Sequence, residues 1–166
     1  MTPMPDGLSI TIPGTPPAAL GKSSHVHWSV KRREWDVALT VGLVLWMEAL
    51  TSHPGMPVAQ RYPAPLVVSE LLNVPWRKVD ITITQFWCGR PLDADNLLGR
   101  CGAYLDAAQE PTLHRPGAGI IVDDGPDCVQ SLTTRYERVR SRDEARVVVT
   151  VKPESRVING FPLWQR

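Results

Sequence analysis

Two short acidic runs hold the residues whose type and spacing are best suited to chemistry. Asp93-Ala94-Asp95-Asn96 joins a strand-like segment to a helical one, and Asp123-Asp124 ends the apolar run Ile120-Ile121-Val122. Residues two apart in an extended segment point to the same side, so this spacing directs Asp93 and Asp95 at one point. Carboxylate oxygens are hard ligands suited to Mg²⁺ or Mn²⁺. Two acidic spots at the ends of apolar elements repel when brought together, and a divalent cation between them removes the conflict. Each spot also has an ordinary structural role, since Asp before Asn caps a helix and Asp-Asp-Gly-Pro makes a turn. Other chemistry finds less support. Cys88, Cys101 and Cys128 are odd in number, lack CxxC spacing and have no His partner, which argues against a disulfide framework, a tetrahedral zinc site and a cysteine nucleophile. Neither a GxSxG nor a P-loop motif is present. His25 and His27, in a polar stretch, read as solvated or phosphate-facing rather than as zinc ligands.

The elements that must position these acids follow from hydrophobic periodicity. Leu8-Ser9-Ile10-Thr11-Ile12 alternates apolar and polar as a half-buried strand does, and Pro13-Gly14-Thr15-Pro16-Pro17 stops it. Gly21 to Arg33 is polar and basic without a period, which predicts a loop. From Arg33 to Leu50, the residues Trp35, Leu39, Leu43, Trp46, Met47 and Leu50 recur at three- and four-residue spacing and predict an amphipathic helix. The proline-rich stretch Thr51 to Pro65 predicts a loop, with a short strand at Leu66-Val67-Val68. Val79 to Phe86 alternates strictly and is the clearest strand. A second helix is expected from Asp95, as its N-cap, to about Gln109, with Leu97, Leu98, Cys101, Tyr104 and Leu105 on one face. Val129 to Arg138 and Arg146 to Val151 are extended and suggest a hairpin. Phe161, Leu163 and Trp164 in the tail could dock on the core or on a partner. The expected architecture is a single small α+β domain over residues 1–166, a small mixed sheet packed with two main helices.

Composition narrows the function classes. At 166 residues with 43% hydrophobic and 21% charged side chains, the chain can form a sizeable core and is not a disordered chain. The net charge of +1 means that any binding of nucleic acid must come from local basic clusters. Lys22, Lys31, Arg32 and Arg33 form one such cluster, the better phosphate-binding candidate; Arg135, Arg138, Arg140 and Arg142 form another, read as a solvated face. Phe86-Trp87 lies just before the acidic turn, where an aromatic could wedge between bases while its neighbour joins the core. Val37 to Leu50 is too short and too interrupted to span a bilayer, and no signal peptide is evident. A soluble, cytoplasmic protein without membrane partners is expected.

Three runs together, Pro91-Leu92-Asp93-Ala94-Asp95-Asn96-Leu97, Tyr104-Leu105-Asp106-Ala107 and Ile121-Val122-Asp123-Asp124, resemble the RusA family of Holliday junction resolvases. That family carries a D-x-D-N-L strand-to-helix motif, a further Asp late in the helix, and a D-D pair after a short apolar run. Leu8 to Pro17 also resembles its opening strand and proline-rich turn, so the likeness extends over most of the chain. The resemblance implies an α+β fold and a homodimeric, Mg²⁺-dependent endonuclease (Mn²⁺ as an alternative ion) that resolves four-way DNA junctions in recombination and repair. It implies that Asp93, Asp95 and Asp124 ligate the metal with Asp123 close by, and that Asp106 has a supporting or structural part. Two cuts on a two-fold symmetric junction are most simply delivered by a two-fold symmetric dimer.

The family motif continues to a lysine where this chain has Gly99. Arg100 follows, about 100° further round a helix, so it does not simply inherit that place. Its long side chain is nonetheless a candidate catalytic cation, and Arg90, from the preceding turn, is a candidate DNA contact. His114 and Arg115, on a loop longer than the family's usual connection, could also approach the site. The rival readings are a non-catalytic branched-DNA-binding protein of the same fold, a nuclease acting on flaps or replication intermediates, and a small α/β binding protein whose acids are only caps and turns.

Overall fold

A computed structural model describes residues 7–22, 24–52 and 74–154, and the backbone of 157–158 and 161–162. The strand expected at Leu66 to Val68, most of the proline-rich loop before it and the side chains of the tail lie outside the described residues.

Alternation in the sequence becomes a one-sided sheet. Strand β1 (Leu8–Pro13) buries Leu8, Ile10 and Ile12 and turns Ser9 and Thr11 outward. Strand β2 (Val79–Trp87) buries every second residue from Val79 to Gln85. Strand β4 (Arg146–Pro153) does the same with Val147, Val149 and Val151. The register aligns these side chains into rows across the sheet: Ile10 opposite Val149 opposite Ile83, and Leu8 opposite Val151 opposite Ile81. The third row, Ile12, Val147 and Gln85, ends in a buried amide.

Strand β3 (Val129–Arg138) completes the sheet, whose order is β1-β4-β2-β3. It runs parallel to β2, while β4 is antiparallel to both β1 and β2. The expected β3–β4 hairpin is therefore not formed: β2 lies between them. The reason is packing. The alternating valines of β4 fill the centre of the core, whereas β3 stays largely exposed at an edge. A further two-stranded pair joins Val157–Ile158 to Phe161–Pro162.

Two helices accompany the sheet. Helix α1 (Trp28–Thr51) begins earlier than the apolar period predicts. Its first turns are polar: the His27 ring accepts the Ser29 N–H as an N-cap, and Arg32 pairs with Asp36 one turn on. A solvated turn leaves no apolar signal, so Lys31, Arg32 and Arg33 lie on a helix rather than on the expected loop. Its buried stripe is Ala38, Gly42, Trp46 and Leu50, with Trp35, Leu39, Leu43 and Met47 partly buried.

Helix α2 (Ala94–Asp106) buries Leu97, Cys101, Ala103, Tyr104 and Leu105. Small residues let the helices meet closely: a Cβ on Gly42 would lie 2.9 Å from Ala107 Cβ and 3.2 Å from Tyr104 Cα. There the Trp46 indole N–H donates to the Tyr104 carbonyl at 2.8 Å. The architecture is a small α+β domain, a four-stranded mixed sheet with two helices. Among the described residues no helix is long and apolar enough to cross a membrane.

Candidate active site at the first turn of helix α2

The turn after β2 delivers Asp93 to the start of α2. Gln85, buried on the core face of β2, accepts the Leu92 N–H at 3.0 Å through its side-chain oxygen and so ties the turn to the sheet. Asp93, in extended conformation, is the N-cap; the predicted cap, Asp95, lies inside the first turn instead. A cap's carboxylate can bond the N–H three residues on, and Asp93 does so with Asn96 at 2.9 Å. Its other oxygen accepts the Asn96 side-chain N–H at 2.8 Å. These bonds, backbone first, hold the Asp93 carboxyl below its ordinary pKa of 3.8, with further help from the positive charge of Arg100. Asp93 is therefore an exposed, firmly ionised group. The helical start also means that Asp93 and Asp95 do not lie two apart on one extended strand.

Asp95 points to solvent and meets Lys22, whose Nζ lies 3.5 Å from its Oδ2. The two side chains are 68% and 74% exposed, so the pair contributes about 0–1 kcal/mol at most, less in salt. Lys22 comes from the segment between β1 and α1. That segment lies along α2: Leu20 is buried, and the Arg100 guanidinium donates to the Pro16 carbonyl at 3.4 Å. Arg100 Nε is buried beside Gly21 without a partner of its own. The arginine that the sequence offers as a candidate catalytic cation is thus turned onto the neighbouring segment.

Position 99 also has a physical explanation. A Cβ on Gly99 would lie 3.2 Å from Lys22 N and 3.3 Å from Leu20 O. The backbone of 20–22 occupies the space where a side chain from this helix position would emerge.

The second acidic spot belongs to the other end of α2. Ile120 and Ile121 donate to the Ala108 carbonyl just beyond the helix, and Ile121 bridges Trp76, three residues before β2 begins. Asp106, in the last turn of α2, is half-buried. Burial pushes its carboxyl above 3.8; Arg115 opposes this, and the charges of Asp124 and Asp123 add to it. Asp106 also accepts from Gln109 at 3.1 Å and pairs with Arg115 at 3.5 Å. Asp95 and Asp106 are separated by about 16 Å of helix axis.

The acids thus form two groups, one at each end of α2. The convergence of Asp93, Asp95 and Asp124 implied by the resemblance is not seen: among the described residues, no three His, Cys, Asp or Glu side chains come together closely enough to hold a metal ion. The loop after α2, clasped to its last turn by Arg115, brings the charges of Asp123 and Asp124 to bear on Asp106. Arg115, expected from sequence to approach the site, instead closes the far end of the helix by pairing with Asp106.

The remaining sequence candidates divide. Arg90 is exposed on the turn before Asp93. Trp87 is half-buried, its indole folded over Gly89, where a Cβ would lie 2.9 Å from Trp87 Nε1. Neither Phe86 nor Trp87 is a core residue: Phe86 lies on the sheet face opposite Gln85, and the Arg146 guanidinium stacks on it at 4.0 Å. No protein family, curated protein or solved structure matches the chain.

Proposed function

We propose that this protein is a metal-dependent endonuclease that cuts branched DNA, four-way junctions in the first instance, as a homodimer. The observation that carries this reading is the first turn of α2: two exposed carboxylates, Asp93 and Asp95, with the cation Lys22 against one of them. The order of acidic motifs along the chain, which resembles that of the RusA resolvases, supports it.

The donor set suits Mg²⁺ or Mn²⁺. Mg²⁺ retains several waters and is commonly held by one or two carboxylates together with substrate phosphates, so a complete protein cage is not required. Asp93 is ionised well into acid and uses one lone pair on each oxygen, leaving others free. Asp95 is open to solvent. Asp93 or Asp95, together with substrate phosphates and water, would hold the ion; Asp123 and Asp124, at the other end of α2, are not in this set. A bound ion supplies charge neutralisation at the scissile phosphate and an activated water. The chain's own part is to keep Asp93 ionised and oriented through Asn96, to place a cation beside Asp95, and to offer Arg90 and the α1 cations Lys31, Arg32 and Arg33 to flanking phosphates.

The test is incubation of end-labelled four-way, flap and linear duplex DNA with the protein in Mg²⁺ or Mn²⁺. Paired symmetric nicks in the junction, lost in Asp95→Asn, are the expected result. Nicks confined to flaps would move the substrate to replication intermediates. Tight junction binding without cleavage in either metal would replace the enzyme by a junction-binding protein of the same fold. Neither binding nor cleavage would overturn the reading.

A further inference from the structure

We propose that Lys22 is the phosphate-contacting cation of this site, carried to it by a glycine clasp between the 20–22 segment and the first two turns of α2. The proposal rests on the nuclease reading and identifies a residue of that site. Asp95 and Gly99 are four apart and share a helix face. Over Gly99 the facing backbone comes so close that an added Cβ would lie 3.2 Å from Lys22 N, 3.3 Å from Leu20 O and 3.6 Å from Lys22 Cγ. Gly21 forms the other half: a Cβ there would lie 3.1 Å from Asn96 Oδ1 and 3.5 Å from Arg100 Nε. Gly99 thus admits backbone contact between the segment and the helix, Gly21 packs on the Asn96 and Arg100 side chains of that helix, and the buried Leu20 and the Arg100 bond to Pro16 anchor the segment from behind.

Lys22 therefore differs from an ordinary surface lysine, because its backbone is fixed against the helix while its ammonium stays exposed to solvent. The ammonium rests 3.5 Å from Asp95 in an exposed pair. Such a pair is weak and easily screened. The ammonium can leave Asp95 for a phosphate oxygen at little cost, and the carboxylate it leaves is one of the proposed metal ligands. A lysine acts there as a compact positive charge with rotatable donors, suited to charge building on a phosphate in the transition state. Arg100, turned onto the Pro16 carbonyl, is not placed for this task.

The experiment compares wild type, Lys22→Ala, Lys22→Arg and Gly99→Val on a synthetic four-way junction. Single-turnover nicking in Mg²⁺ and junction affinity in EDTA are measured for each, with melting curves to establish folding. Lys22→Ala is expected to nick about 100-fold more slowly while affinity changes less than about threefold. Lys22→Arg should recover part of the rate. Gly99→Val, which keeps every charge but forces the segment outward, should slow nicking as Lys22→Ala does. A Lys22→Ala protein that nicks at the wild-type rate overturns the proposal, as does one that loses affinity and salt dependence but not rate. A second readout is independent of cleavage: acetylation of Lys22 by an amine-reactive ester, read by mass spectrometry, should fall at least about fivefold when the junction is bound. If wild type does not nick but Lys22 is protected, the nuclease reading fails and the phosphate contact stands. An unprotected Lys22 overturns the contact in either case.

Discussion

Trp46 is the side chain on which the placement of α2 most directly depends, and Trp46→Phe tests this. The indole is fully buried, with 0% exposure, and its N–H donates to the Tyr104 carbonyl at 2.8 Å. That carbonyl is one of the last four of α2, which have no partner in the continuing helix. The Ala103, Leu105 and Asp106 carbonyls accept from Ala107, Ala108 and Gln109, and Tyr104 accepts from Trp46. Phenylalanine keeps an aromatic ring in place but leaves a buried carbonyl without its donor, at a cost of about 1–3 kcal/mol. The space vacated by the smaller ring system adds roughly 1 kcal/mol. The total, about 2–4 kcal/mol, corresponds for a chain of this length to a fall in melting temperature of roughly 6–12 °C. Equilibrium urea unfolding followed by circular dichroism measures it directly, with Trp28→Phe as the control because Trp28 is 72% exposed. A midpoint shift equivalent to less than about 1 kcal/mol, or one equal to that of the control, would show that the indole bond does not hold the helices together.

Two further outcomes follow from the charges and thiols. Because the folded-state pKa of Asp93 lies below 3.8, its stabilisation is complete above that ordinary value and is lost as pH falls through the lower folded one. The melting-temperature gap between wild type and Asp93→Asn should therefore be constant from about pH 6 to pH 5 and close toward about pH 2; a gap that widens in acid contradicts the cap assignment. Burial pushes the Cys101 thiol up to about 12, and its side chain has no exposure. Alkylation of the native protein near pH 8 should mark the half-buried Cys88 first and leave Cys101 unmodified until the protein unfolds, as read by peptide mass mapping.

Periodicity made the central elements legible. Val79 to Phe86 alternates so strictly that it forms a strand wherever it has one apolar layer to cover, and Leu8 to Ile12 does likewise. The helix after Asp93 was legible to within two residues at its start and three at its end, because Asp and Asn suit its first turn and its apolar face recurs at helical spacing. The polar opening of α1 was not legible. Caps such as His27 and pairs such as Arg32–Asp36 act on solvated turns that carry no apolar pattern. The partner of β4 was not legible either, since β-branched strands of similar length pair equally well locally and only the shared core selects among them.

The sequence by itself determined an α+β chain with acids concentrated at two junctions between elements, because turn chemistry and hydrophobic period are local properties. Which of those acids share a neighbourhood was decided by the tertiary structure alone. The length of α2 sets Asp93 and Asp95 apart from Asp106, and the backbone of residues 120–121, bonded to the Ala108 carbonyl, assigns Asp123 and Asp124 to the far group. The meeting of Lys22 with Asp95 is likewise tertiary. It requires a bare backbone at Gly99 facing another at residues 20–22, a contact 77 positions apart in the sequence (from 22 to 99) that no local pattern encodes.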